Sequence, residues 1–186
     1  MEPRTLDHIA LWVAERDPIA RIATEQLGMH EIERTDRFTL VGADARRGKL
    51  TLFEAEGPRE RGALQRIGLR VSSLDGRKPE LELGEGIGVV LVEAETDVEF
   101  DLDHVGLVSA DPVAAAAAWE AFGFERVGDT RLEVGGAYLE LQEGDPVALG
   151  DPERYVVERA GLHLPSFTSS ARLRAATGSC SSSTDP

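Results

Sequence analysis

The chain of 186 residues has one cysteine, Cys180, set among serines in a stretch without hydrophobic patterning. A single thiol excludes an internal disulfide framework and leads us to expect a reducing, cytoplasmic setting. Long hydrophobic runs are missing too. None approaches the roughly 18 apolar residues of a membrane span, and Met1-Glu2-Pro3-Arg4 lacks the apolar stretch of a signal peptide. Positive charge is in deficit, with 20 Lys and Arg against 34 Asp and Glu and a formal charge of −14. So acidic a chain has no basic face for phosphate backbones or anionic membranes, so neither nucleic acid nor membrane is expected as a partner. What remains is a 41% hydrophobic composition, enough for a packed core and the small-molecule chemistry one can carry.

The most informative feature is a segment that returns. Leu6-Asp7-His8-Ile9-Ala10-Leu11 reappears as Leu102-Asp103-His104-Val105-Gly106-Leu107. Each copy is followed by Asp-Pro (Asp17-Pro18, Asp111-Pro112), a helical stretch, and a closing glycine (Gly28, Gly123). Such a recurrence indicates a duplicated supersecondary unit. The alternation from Leu6 to Val13 predicts a strand. Asp17 is expected as N-cap with Pro18 at the first helical position, Ile19, Ile22, Ala23 and Leu27 on one stripe, and Gly28 closing in the left-handed region. Strands follow over 30–35, 38–42 and 49–54. The second copy predicts a strand over 102–108, a helix opened by Asp111-Pro112, and strands over 125–127, 131–134 and 137–142, with Gly135-Gly136 as a tight hairpin.

A weaker relative lies between the copies. Leu64-Gln65-Arg66-Ile67-Gly68-Leu69 has the strand pattern with Arg66 in the histidine's place, and Asp75-Gly76-Arg77-Lys78-Pro79 is a polar turn where a helix should be. A final strand is expected around 87–92. A fourth start at Arg159-Ala160-Gly161-Leu162-His163-Leu164 breaks off at once, and from Ser166 the chain is rich in Ser, Thr, Ala and Arg. That segment has too little to bury to offset its ordering entropy, so it is expected to be a disordered tail. A module start that loses its apolar pattern within four residues also leads us to expect a truncated or frame-shifted version of a longer parent. The expected divisions are 1–98, a first module pair; 99–165, a second, incomplete unit; and 166–186, the tail.

Repeated βαβββ modules with a histidine on the first strand resemble the vicinal oxygen chelate superfamily. That group includes glyoxalase I, extradiol ring-cleavage dioxygenases, methylmalonyl-CoA epimerase and bleomycin-resistance proteins. The resemblance covers about 5–164 and implies an α+β fold of cupped mixed sheets, here with the last module truncated. It also implies a divalent metal held by first-strand histidines and last-strand carboxylates. Fe²⁺ or Mn²⁺ is expected first, Zn²⁺ or Ni²⁺ next, with a metal-free cup as the other outcome. Imidazole and carboxylate suit these ions, and three ligands leave positions open for substrate.

Taken position by position, the resemblance implies His104, His163 and Glu140 as metal ligands. In the first module Thr51 stands where the carboxylate belongs, so the resemblance gives His8 no complete ligand set. Arg66 cannot ligate a cation; it and His8 are candidates for binding substrate, Arg66 through a carboxylate. The plainer reading of Arg66 is a salt bridge to an acidic neighbour. The leading expectation is an enzyme of the extradiol ring-cleavage type, incomplete in this form. The alternatives are a metal-free ligand-sequestering protein of the bleomycin-resistance type and an inactive remnant. An unpaired module edge favours a homodimer.

Overall fold

The structure, a computed structural model, describes residues 5–44, 46–55, 57 and 63–144, together with the backbone of 158–159 and 162–163. The first module runs β1 (His8–Val13), α1 (Arg16–Ile22), a π-helical turn (Ala23–Leu27), β2 (His30–Arg34), β3 (Phe38–Gly42) and β4 (Lys49–Glu54). Its four strands lie in the order β1-β4-β3-β2, with β1 parallel to β4. Period-two alternation turns Ile9, Leu11 and Val13 to one face, where they are buried with Ile19, Ala23 and Leu27 of the helical segment. His8, Ala10 and Trp12 take the other face.

The first helix starts earlier than its Asp-Pro signal suggests. Glu15 is the N-cap, and its carbonyl accepts from the Ile19 amide at 3.0 Å. Asp17 therefore falls inside the first turn, where its carboxylate accepts from Arg34 instead of capping. Gly28 closes the helical segment at φ 82°, as expected.

Modules two and three share one sheet. Module two supplies β5 (Leu64–Val71), β6 (Glu80–Glu82) and β7 (Gly88–Glu93). Module three supplies β8 (Asp101–Ser109), α2 (Pro112–Ala121), β9 (Glu125–Arg126), β10 (Arg131–Val134) and β11 (Ala137–Glu143). The seven strands run β6-β7-β5-β8-β11-β10-β9. Within each module the first strand is parallel to the last, while β5 and β8 pair antiparallel. The two modules are thus related by an approximate two-fold axis between β5 and β8. The β5–β8 ladder joins module two to module three.

The missing helix of module two is replaced by the polar turn the sequence indicates, with Asp75 and Gly76 at positive φ. Arg77 holds that turn in place. Its guanidinium donates to the carbonyls of Ser73, Leu74 and Leu27, the last at the end of the first module's helical segment, and lies over the Phe100 ring. In module three, Asp111 caps α2 through the Ala114 amide at 2.9 Å, and Gly135 and Gly136, both at positive φ, form the hairpin. Trp119 and Phe124 pack edge to face beneath the sheet, and all three modules contribute to one contiguous core. Trp12 is half-buried and stacks on Phe53.

Of the fourth start, β12 (Glu158–Arg159) and β13 (Leu162–His163) form a two-stranded antiparallel ladder. The 166–186 tail lies outside the described residues. Among the described residues, no helix is long and apolar enough to cross a membrane.

Candidate functional site

The face of the seven-stranded sheet turned away from α2 carries most of the chain's candidate residues. The pairings Arg66–Gly106, Gly68–His104, His104–Tyr138 and Gly106–Glu140 place Arg66, His104, Tyr138 and Glu140 on that face in adjacent strands. The alternate positions Leu132, Leu139, Leu141, Val105 and Ile67 are buried on the opposite side.

Two bulges add further side chains to the cup. Gln65 is the extra residue between the Leu64–Leu107 and Arg66–Gly106 pairs, and Asp103 is the extra residue between His104–Gly68 and Leu102–Leu69. A bulge lets neighbouring residues share a face. Gln65 therefore joins Arg66, and Asp103 joins His104. The two bulges occupy matching positions about the two-fold: Gln65-Arg66-Ile67-Gly68 aligns with Asp103-His104-Val105-Gly106.

Each long side chain lies over the other strand's glycine. A Cβ on Gly68 would stand 2.2 Å from His104 Nδ1, and one on Gly106 would stand 2.9 Å from Arg66 Cγ. Only glycine permits that approach. Arg66 donates from Nε to His104 Nε2 at 3.1 Å and from its second terminal nitrogen to Glu140 Oε2. The accepting role of Nε2 fixes the tautomer, so His104 donates from Nδ1 to Asp103 Oδ2 at 2.9 Å. Arg70 closes the chain of contacts, donating to Asp103 Oδ1 at 2.8 Å and to the Gly136 carbonyl at 2.7 Å. The hydrogen bond from His104, helped by Arg70, outweighs burial and holds the Asp103 carboxyl below its ordinary range. On the far side of His104 its ring stacks on Tyr138 at 5.0 Å, and Arg131 lies 3.7 Å from the Tyr138 ring centre. Burial raises the Tyr138 phenol, with the Asp103 charge adding to the effect.

The structure thus brings His104 and Glu140 together and sets Arg66 between them. The salt-bridge reading of Arg66 describes its contact with Glu140. His8 lies in the other sheet, its Nδ1 2.9 Å from Asp7 Oδ2, while Lys49 reaches the same carboxylate at 2.9 Å. Thr51 pairs with Ala10 as Glu140 pairs with Gly106, so it does occupy the carboxylate position of the first module. The His163 side chain lies outside the described residues.

A divalent ion does not fit this arrangement. The His104 Nε2 lone pair and a Glu140 oxygen are both engaged by a guanidinium, which is permanently charged and would repel the ion at contact distance. Among the described residues, no three His, Cys, Asp or Glu side chains converge. Gln65, Arg70, Asp103 and Tyr138 are site residues that sequence pattern did not single out. For Asp103 the signal was present, because the Asp-His pair is duplicated with its hydrogen bond.

Comparison with known proteins adds the fold. No protein-family model and no curated protein matches the chain. Among solved structures, a point mutant of glyoxalase I from Zea mays superposes with a TM-score of 0.59 at 16% identity, covering 83% of this chain and 71% of that one. Glyoxalase I from Zea mays itself gives a TM-score of 0.53 at 15% identity over 83% and 70% of the two chains. A dioxygenase candidate from Bacillus subtilis gives 0.53 at 15% identity over 90% and 68%. At such identities the likeness establishes a shared fold.

Proposed function

We propose, from the premise that this chain has the vicinal oxygen chelate (glyoxalase-like) fold, that it is a small-molecule-binding protein whose cup uses Arg66 in place of a metal. The observation that carries this reading is the Arg66 guanidinium held between His104 and Glu140. Two of its five N–H groups are spent on those partners, and three remain for an anionic oxygen of a ligand. The side chain is 36% exposed, so a ligand can reach it from the cup. Arg70 and Arg131 lie on the same face, each paired with a carboxylate (Asp103 and Glu133), so it is the unspent N–H groups of Arg66 that favour an anion. On this reading the cup takes an acidic small molecule.

Elemental analysis tests this directly. Purified protein is expected to hold far less than one equivalent of Fe, Mn, Zn or Ni, and added ions should leave its melting temperature unchanged. Arg66→His should then gain Zn²⁺ or Ni²⁺ binding, because the introduced imidazole would join His104 and Glu140 as a third donor. One equivalent of metal in the wild-type protein, lost in His104→Ala, would overturn the proposal.

One observation favours a second reading. Asp103 fixes the His104 imidazole as outer partners of metal-ligating histidines do. If Arg66 withdraws, His104 and Glu140, with His163 from the fourth module, would hold Fe²⁺ or Mn²⁺ for ring-cleavage dioxygenation. A catechol assay on iron-loaded protein distinguishes the two: yellow product supports the dioxygenase, and its absence together with metal-free protein supports the binding cup.

A further inference from the structure

Among the described residues the cup contains one buried polar atom without a hydrogen-bond partner, Gln65 Oε1. A buried acceptor left alone is costly, so such atoms mark either a defect or a missing partner. The bulge at Gln65 is what turns this side chain onto the cup face at all; without it Gln65 would point away from Arg66. Its two-fold counterpart, Asp103, is fully engaged by His104 and Arg70.

The orphan is not remote from the Arg66 side chain. Gln65 Oε1 and Arg66 Nε lie 3.6 and 3.5 Å from the same point above Gly106. An acceptor that needs a donor therefore shares the space above Gly106 with a side chain whose remaining N–H groups can take an anion. A ligand carrying a hydroxyl beside a carboxylate answers both: the carboxylate takes the free Arg66 N–H groups, and the hydroxyl donates to Gln65 Oε1. A single negative charge fits better than a double one, because Asp103, Glu140 and Glu133 share this face with Arg66, Arg70 and Arg131. The neighbouring positions Val90, Val92 and Val108 are half-buried on the same face, which suits an aliphatic remainder.

We infer that the cup selects a 2-hydroxycarboxylate with an aliphatic side chain, read by Gln65 and Arg66 together; this rests on the binding-cup reading above. The test is calorimetric titration of the full chain with 2-hydroxyisocaproate, with 4-methylpentanoate (no hydroxyl), and with 4-methylpentane-1,2-diol (no carboxylate). The hydroxy acid is expected to bind about tenfold more tightly than either analogue, the size of one good buried hydrogen bond. Gln65→Leu should abolish the preference over 4-methylpentanoate while keeping carboxylate affinity, and should melt no lower than wild type because an orphan acceptor has been removed. Gln65→Met is the second variant, with the same expectation. Arg66→Gln should weaken both acids and leave the diol unaffected. Equal binding of the two acids by the wild-type protein, or a preference that survives both Gln65 substitutions, overturns the inference while the cup reading stands. No carboxylate binding by the wild-type protein overturns both.

Discussion

The first-strand histidines of modules one and three are anchored alike and face different neighbours. His8 and His104 each use Nδ1 to hold the preceding aspartate at 2.9 Å, and each aspartate is held in turn by a cation, Lys49 or Arg70. The duplicated Leu-Asp-His thus reproduces a local device faithfully. What differs is the next strand over. His104 meets β5, whose Gly68 accommodates the ring and whose Arg66 takes its Nε2, and Glu140 completes the clasp. In module one the carboxylate position holds Thr51, and Phe38 and Phe53 pack beside Trp12. Anchoring is encoded within a module, whereas chemistry is assembled between modules.

The strongest way to break the contrast is to remove the space that module two gives to His104. In Gly68→Ala the added carbon would stand 2.2 Å from Nδ1 of a ring confined by Asp103 and Tyr138. We expect a loss of about 3 kcal/mol in urea denaturation, at the upper end for overpacking a rigid site. Gly106→Ala meets the more compliant Arg66 stem at 2.9 Å and should cost about 1 kcal/mol. Equal losses would mean that His104 is as free to move as Arg66, and the cup would not be preorganised.

A smaller change makes the cup resemble module one at its carboxylate position. Glu140→Thr installs the residue found at the matching position of module one and releases Arg66 from its carboxylate. Both partners are about one-third exposed, 36% and 35%, so stability should change by no more than about 1 kcal/mol. Affinity for a ligand carboxylate should rise about fivefold, because the guanidinium charge is no longer already paired with a carboxylate that repels the ligand's own. Titration of Glu140→Thr with 4-methylpentanoate checks this, and weaker binding than wild type would show Glu140 to be a ligand contact in its own right.

Much of this was legible in the chain. The Leu-Asp-His repeat, the Asp-Pro and glycine signals and the alternation locate nearly every strand, because each depends on residues close in sequence. Arg66 in the histidine's place, Thr51 in the carboxylate's place and the lost helix of module two were also visible. The partner of each first strand was not. Strands β1, β5 and β8 share one pattern, so alternation alone does not say that β5 chooses β8. The two bulges depend on that choice, since a register shift exists only between two particular strands. Without the bulges Gln65 and Asp103 would point to the wrong face, and the contacts of Arg66, spanning 38 and 74 residues, would have no basis. The first helix misled for a local reason: Asp17-Pro18 is a good start signal, but the Glu15 carbonyl was placed to accept first.

Acid sensitivity separates the two anchors most finely. Asp7 and Asp103 both lie below the ordinary carboxyl value of 3.8 in the folded chain, for reasons of different balance. At Asp103 the His104 hydrogen bond is the largest influence and burial opposes it. At Asp7 burial is the largest influence, raising the value, and the hydrogen bonds from His8 and Lys49 together overcome it. In each case the unfolded chain takes up the proton first as pH falls. Stability is therefore complete above about 3.8 and is lost as pH drops through the lower folded values. Melting temperatures taken from about pH 7 down to about pH 2.5 should show this acid limb in the wild-type protein. Asp103→Asn should flatten it more than Asp7→Asn, because the Asp103 side chain is 10% exposed against 25% for Asp7 and its pairings are less screened by solvent. An unchanged limb in Asp103→Asn would mean that the His104 anchor contributes no more than its copy on β1, and that only the residues across the β5–β8 seam distinguish the two cups.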